Sequence, residues 1–266
     1  MQLRKICIIT ILGIAVTAAL FLFVRTSYAQ PALVVHAGAG IRPPLDELGK
    51  AFEKKTGVRV DYNYKGSGCL LADICFSKTG DAYIPGELFY IEQAHKRGFI
   101  AKSRTVAQMA AVVIVQKGNP KDIRSIKDLT RPNLRVGLGD AEAVAVGRAA
   151  NECLVKAGIL KQVEENVVMS ALNVVELGIG VKLKHLDAAI VWDATAHLFE
   201  DDVERIDVPD KWRVDCPVPV GILTFSAQPE VAERYMDFLA SKDAAKVFAK
   251  HGYGVAEKTA SEEKKS

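Results

Sequence analysis

The sequence has little excess of positive charge. It carries 35 Lys and Arg against 32 Asp and Glu. Arg4, Lys5 and Arg25 stand in the first 29 residues without any acid, so 35 − 3 leaves 32 basic against 32 acidic residues in the remainder, a formal charge of zero. No basic stripe interrupts this balance, which excludes nucleic acid as a partner and long-range steering of anions; an anion would have to be held by local donors. Also missing are a phosphate-cradling Walker loop, a dinucleotide fingerprint and a metalloprotease helix. The histidines, His36, His95, His185, His197 and His251, are scattered, and no Cys or His pair has zinc-type spacing. Neither a metal nor a cofactor is therefore expected.

Long apolar runs are absent except for one, Ile6 to Val24. Arg4 and Lys5 precede it, and Ser27-Tyr28-Ala29 supplies small residues at a cleavage site, so residues 1–29 read as a secretory signal peptide. The run's length also suits an uncleaved anchor. The mature chain is expected to start at Gln30 and to work in the periplasm, with residues 257–266 as a charged, disordered tail. Cys7 leaves with the signal. Cys69, Cys75, Cys153 and Cys216 remain, in a compartment that permits disulfides, and three pairings are open to them; a local Cys69–Cys75 bridge would leave Cys153 with Cys216.

The centre of the chain's organisation is Tyr64-Lys65-Gly66-Ser67-Gly68-Cys69-Leu70-Leu71. Val58, Val60, Tyr62 and Tyr64 alternate before it as in a half-buried strand, and Leu70, Leu71 and Ile74 follow at helical spacing. Gly66 and Gly68 let a backbone approach closely, Ser67 offers a hydroxyl, and the helix start leaves unpaired N–H groups, a combination that favours an anion. A second glycine-bearing turn, His36 to Arg42, follows a strand at Leu33 to Val35; Pro43, Pro44, Asp46 and Glu47 suit the start of its helix, which Gly57 ends. Further strands are expected at Asp81–Ile84, Val112–Val115, Arg135–Leu138, Ala188–Trp192 and Cys216–Phe225. Helices are expected at Leu88–Arg97, Ser125–Leu129, Val144–Ala157, Glu230–Leu239 and Asp243–His251. Asn173-Val174-Val175-Glu176 carries a capping-box pattern that leaves the Val174 N–H free. This alternation predicts an α/β fold of mainly parallel sheets with helices on both faces and ligands at the carboxyl ends of strands.

Several strings in order resemble the periplasmic molybdate- and tungstate-binding proteins that serve ABC importers. They are Val34-Val35-His36-Ala37-Gly38-Ala39-Gly40, Lys65 to Leu70, Gly80-Asp81-Ala82-Tyr83-Ile84, Val136-Gly137-Leu138-Gly139-Asp140, Ala189-Ile190-Val191-Trp192, and Ala244 to Phe248 followed by Gly252-Tyr253. The resemblance runs from about Leu33 to Tyr253. It implies a type II periplasmic-binding-protein fold, a non-enzymatic receptor with an ABC permease as partner, and an oxyanion held in a cleft between two lobes. Lobe one would be residues 30–114 plus 217–256, and lobe two 115–216. Carried over position by position, the family's second-turn serine falls on Ser67 and its second-lobe backbone donors on Val146 and Val174. Its first-turn serine falls on Gly40 and its tyrosine hydroxyl on Trp192, two departures that remove hydroxyls. Ala39, Gly40 and Gly68 would give backbone N–H groups, Trp192 an indole N–H, and Arg42 a compensating charge. Pro43 removes one donor, and Glu87 in the unusual Ile84-Pro85-Gly86-Glu87 segment would oppose an anion. Other readings are a sensor-linked receptor of the same fold, an organic-cation pocket built from Trp192 with Asp73, Asp140 or Glu87, and a Cys69 nucleophile for which no motif supplies a histidine.

Overall fold

A computed structural model describes residues 31–254. Contacts divide the chain into Met1–Ala32 and Leu33–Ser266, and the architecture below is that of the second unit. The expected signal segment and charged tail lie outside the described residues. Among the described residues no helix is long and apolar enough to cross a membrane.

Strand β1 (Leu33–Gly38) passes through a 3-10 turn (Ala39–Ile41) into helix α1 (Arg42–Thr56). Pro44, Leu45, Leu48, Gly49 and Phe52 are its buried residues, and Gly57 stops it at φ +76°, the left-handed conformation a helix terminator needs. Then follow β2 (Val60–Lys65), α2 (Ser67–Ser77), β3 (Ala82–Ile84), α3 (Leu88–Lys96) and β4 (Ile100–Gln116). The second half contains β5 (Val136–Gly139), α4 (Ala145–Ala157), α5 (Leu160–Glu164), β6 (Val167–Ala171), α6 (Val174–Lys182), β7 (Ala188–Trp192), α7 (Asp193–Leu198) and β8 (Val203–Ile206). Strand β9 (Asp215–Leu223), α8 (Pro229–Leu239) and α9 (Lys242–Lys250) close the chain.

The strands follow one another in the order β2-β1-β3-β9-β4-β7-β5-β6, with β8 also on β4. Each half has a parallel core: β1 lies parallel to β2 and β3, and β5 parallel to β6 and β7. The antiparallel pairings all involve β4 or β9. Strand β4 changes partner along its length. It pairs with β9 as far as Ala110↔Asp215, and from Ala111↔Trp192 onward with β7. No strand was expected before Val112, where Lys102 and Arg104 interrupt the apolar pattern. They are accommodated at the surface by ion pairs to Glu233 and Asp237 on α8. The expected helix after Ser125 is a 3-10 turn, Ile126–Thr130, closed by a capping box between Ser125 and Asp128.

Both faces of the sheet are covered, so β1, β3, β5 and β7 are almost wholly buried, as parallel strands between helix layers must be. One buried acid ties the second half together. Asp187, 3% exposed, accepts from the Arg135 backbone N–H (2.9 Å), the Arg135 guanidinium (2.8 Å) and Gln116 Nε2 (3.3 Å), joining β7 to the ends of β5 and β4. Burial pushes its carboxyl up, but the Arg135 bonds and charge together hold it below the usual range. All four described cysteines are free thiols. Cys69 and Cys75 are both on α2 and six residues apart, which points them to different sides of the helix. Cys153 and Cys216 are buried and unbonded.

Candidate ligand cavity

Five chain turns at the carboxyl ends of strands meet at one small cavity. Its walls are Gly38 to Ile41 after β1, Lys65 to Ser67 after β2, Gly86 after β3, Val144 to Val146 after β5, Asn173 and Val174 after β6, Trp192 at the end of β7, and Met109 from β4. The cavity gives about 20 Å³ to the centre of a water-sized sphere. A sphere of that volume has a radius of about 1.7 Å, and adding water's radius of ~1.4 Å makes an envelope about 3 Å in radius. One central atom with a single shell of oxygens fits such a space; a sugar does not.

The groups facing it are donors. Ser67 is 3% exposed, and its hydroxyl oxygen accepts the Gly86 N–H at 3.0 Å while its carbonyl accepts the Tyr83 hydroxyl at 2.7 Å. With one of its two lone pairs engaged by Gly86, the Ser67 hydroxyl still has its O–H to donate. Val144, the residue before helix α4, provides no side-chain cap, so the N–H groups of Ala145 and Val146 have neither an intrahelical nor a capping acceptor. Helix α6 is capped differently. Asn173 Oδ1 accepts from Val175 (3.0 Å) and Glu176 (3.2 Å), which leaves the first N–H, that of Val174, for the cavity. The reciprocal half of the expected capping box is shifted by one residue, since Glu176 accepts the N–H of Leu172 (3.1 Å) instead of that of Asn173. The indole N–H of Trp192, a residue 3% exposed, has no acceptor among the described residues. Lys65 is the one cation in the wall, and Asp73 engages its ammonium at 2.6 Å.

Of the residues singled out from sequence, Ala39, Gly40, Ser67, Val146, Val174 and Trp192 are brought together here; Arg42 and Gly68 are not. Arg42 turns outward, with its guanidinium carbon 4.5 Å above the Tyr64 ring, where solvent and the ring satisfy it. Gly68 gives its N–H to the Ala143 carbonyl of the opposite half at 2.8 Å. The glycines serve that approach. A Cβ at Gly66 would lie 2.4 Å from the Leu172 carbonyl, at Gly68 2.2 Å from the Glu142 carbonyl, and at Gly40 2.7 Å from Val174 Cγ1. Tyr253 fixes the first turn by donating to the Gly40 carbonyl at 2.8 Å.

Sequence reasoning missed Gly86, Met109 and Ala145. Gly86 was visible only as part of a departure from the family pattern, and Met109 sits in the part of β4 before Val112, where no strand was expected. The concern over Glu87 is answered by its position outside the wall, beside Arg148. A cation pocket is not built: no carboxylate lines the cavity, and Asp140 instead caps its own turn by accepting from Glu142 (2.8 Å) and Ala143 (3.0 Å). Cys69 does not line it either. A roomier surface groove of about 720 Å³ lies at the β4–β9 crossing, but its charges are spent on each other, Arg205 on Asp207 and Arg213 on Asp210 and Asp215.

Helix starts converging from two parallel half-sheets joined by crossing strands are the arrangement of a two-lobed receptor. The sequence profile of the bacterial extracellular solute-binding proteins matches residues 33–254, nearly the whole described chain. The chain belongs to that family. A binding protein of Haemophilus influenzae is 30% identical over 221 residues, covering 83% of this chain and 90% of its own. The molybdate-binding protein ModA of Mycobacterium bovis is 26% identical over 225 residues, covering 83% and 84%. Among solved structures, the sulfate-binding protein SubI of Mycobacterium tuberculosis superposes with a TM-score of 0.79 at 18% identity, covering 86% of this chain and 88% of that one. The fold is thus the type II periplasmic-binding-protein fold, with its cleft between the halves, and the family is one of solute-binding proteins, not enzymes.

Proposed function

We propose that the protein is the periplasmic receptor of an ABC importer and that it holds a small tetrahedral oxyanion of the molybdate or tungstate kind. The observation that carries this reading is the convergence of donors without acceptors on a space of single-ion size: the Ser67 hydroxyl, the N–H groups of Ala145, Val146 and Val174, and the Trp192 indole. A desolvated dianion needs several such donors in place of water. The helix starts add the positive ends of their dipoles. The wall is poor in acceptors: no carboxylate lines it, and the Ser67 oxygen already accepts one bond from Gly86. A protonated anion such as hydrogen phosphate would leave its own proton unpaired there, at a cost of about 1–3 kcal/mol.

Gly40 and Trp192 fit the same reading. Any side chain at 40 would meet Val174 Cγ1, so the turn contributes backbone alone, and the indole N–H stands in for a hydroxyl as donor. In this scheme residues 30–114 with 217–256, and 115–216, are the two lobes. Ligand meets Ser67 and the first turn, and closure about β4 and β9 adds α4, α6 and Trp192. The closed form is what the permease reads. Titration calorimetry of the chain from Gln30 against molybdate, tungstate, sulfate, chromate and phosphate tests the proposal. Tight binding of molybdate or tungstate with phosphate silent is expected, and a folded protein giving no heat with any of them overturns it.

A further inference from the structure

A second polar contact bridges the halves, outside the cavity wall. Glu87 stands at the start of α3 in the first half, and Arg148 lies in the first turns of α4 in the second. Their side chains approach to 3.4 Å between Oε2 and Nε, and the guanidinium carbon sits 3.5 Å above the Phe89 ring. Each partner is tied through backbone to a cavity wall. Gly86, next to Glu87, donates to Ser67 Oγ, and Val146, two residues before Arg148, presents its N–H to the ligand space.

This contact is incompletely satisfied. Glu87 Oε2, Arg148 Nε and the hydroxyl of Tyr90, a residue 3% exposed, are buried without a hydrogen-bond partner. Burial of ionised atoms in such a state is tolerable only because the opposite charge is adjacent, so separating the halves returns both to water. We infer that Glu87 and Arg148 form a latch between the lobes that forms only on closure and thereby tightens ligand binding without touching the ligand. The inference rests on the receptor reading above. A latch of this kind raises affinity by enlarging the fraction of closed protein, and its loss appears in the rate of release. Glu92 on α3 and Glu152 on α4 also face Glu87, so Arg148 is the charge that makes closure favourable there.

The test is a double-mutant cycle with E87Q, R148Q and the pair, each titrated with molybdate after wild type. Each single variant is expected to raise Kd about threefold to fivefold, as for a half-exposed ion pair. The double variant should be no worse than the worse single, the change should lie in the dissociation rate, and the melting temperature without ligand should hold. Additive effects, unchanged Kd, or a change confined to association would overturn the latch. If wild type itself gives no heat, the oxyanion reading has failed separately, and small-angle scattering of the unliganded chains decides the latch: a wild type more compact than E87Q and R148Q supports it, and variants that stay as compact as the closed fold overturn it.

Discussion

Replacing Gly68 by alanine should separate folding from binding. Gly68 is the second residue of α2. Alanine there suits the helix and is favoured over glycine by about 0.8–1 kcal/mol in a helix interior. In the closed form, however, the new Cβ would stand 2.2 Å from the Glu142 carbonyl oxygen and 3.1 Å from the Ala143 Cα and carbonyl oxygen. Those are backbone atoms of the opposite half, and no rotamer change can move them. Relief requires the halves to part by about 1 Å, which stretches the Gly68 N–H bond to Ala143, 2.8 Å long, and withdraws the α4 donors from the ligand. Overpacking at about 1–3 kcal/mol plus a lost hydrogen bond at about 0.5–1.5 kcal/mol gives roughly 2–4 kcal/mol against closure. Affinity should then fall by about 30-fold to 1,000-fold. Calorimetry with molybdate, beside a thermal melt of the unliganded protein, reads both effects. Wild-type affinity in G68A would refute the argument, and so would a melting temperature that drops as much as the affinity does.

Ser67→Ala removes a ligand donor and leaves the Gly86 N–H without its acceptor, so Kd should rise at least tenfold; unchanged affinity would remove Ser67 from the site. Asp187→Asn should cost about 1–3 kcal/mol at pH 7 in a chemical melt, because Arg135 loses its anion. The depressed Asp187 carboxyl contributes stability that is present above its unfolded value near 3.9 and disappears as pH falls through the lower folded value. Wild type should therefore lose stability below about pH 4 more steeply than the variant, and parallel acid profiles would contradict this. Burial pushes the Cys153 thiol up to about 11 and that of Cys216 higher still, so both are poor nucleophiles at pH 8. Iodoacetamide on the native chain from Gln30 should label Cys69 and Cys75 alone by mass spectrometry; rapid labelling of all four would mean the second half is not packed as described.

Strand-to-helix turns were the most legible feature of the sequence, because glycines, a serine and alternating apolar runs mark them locally. Of the cavity residues, Ser67 followed from that pattern and Val174 from the residues that cap its helix, whereas Ala39, Gly40 and Val146 came through the family resemblance. The role of the glycines was harder to see. From sequence Gly68 reads as room for a ligand, whereas in the fold the room is taken by residues 142 and 143, about seventy positions away. Arg42 does not line the cavity for a related reason: its guanidinium lies over Tyr64 on the neighbouring strand, a contact that no local pattern announces. The beginning of β4 was hidden because strand pairing with β9 and ion pairs to α8 override a charged local sequence.

Most donors around the cavity are peptide N–H groups, which every residue but proline possesses. Chemical recognition written in the main chain is insulated from drift in side chains, so relatives with little residue identity can keep one ligand while their cavity linings diverge. An alanine scan of such a wall would pass over Ala145, Val146 and Val174 almost silently. Proline at position 146 or 174, or an ester in place of the peptide bond, is the substitution that would make their contribution visible.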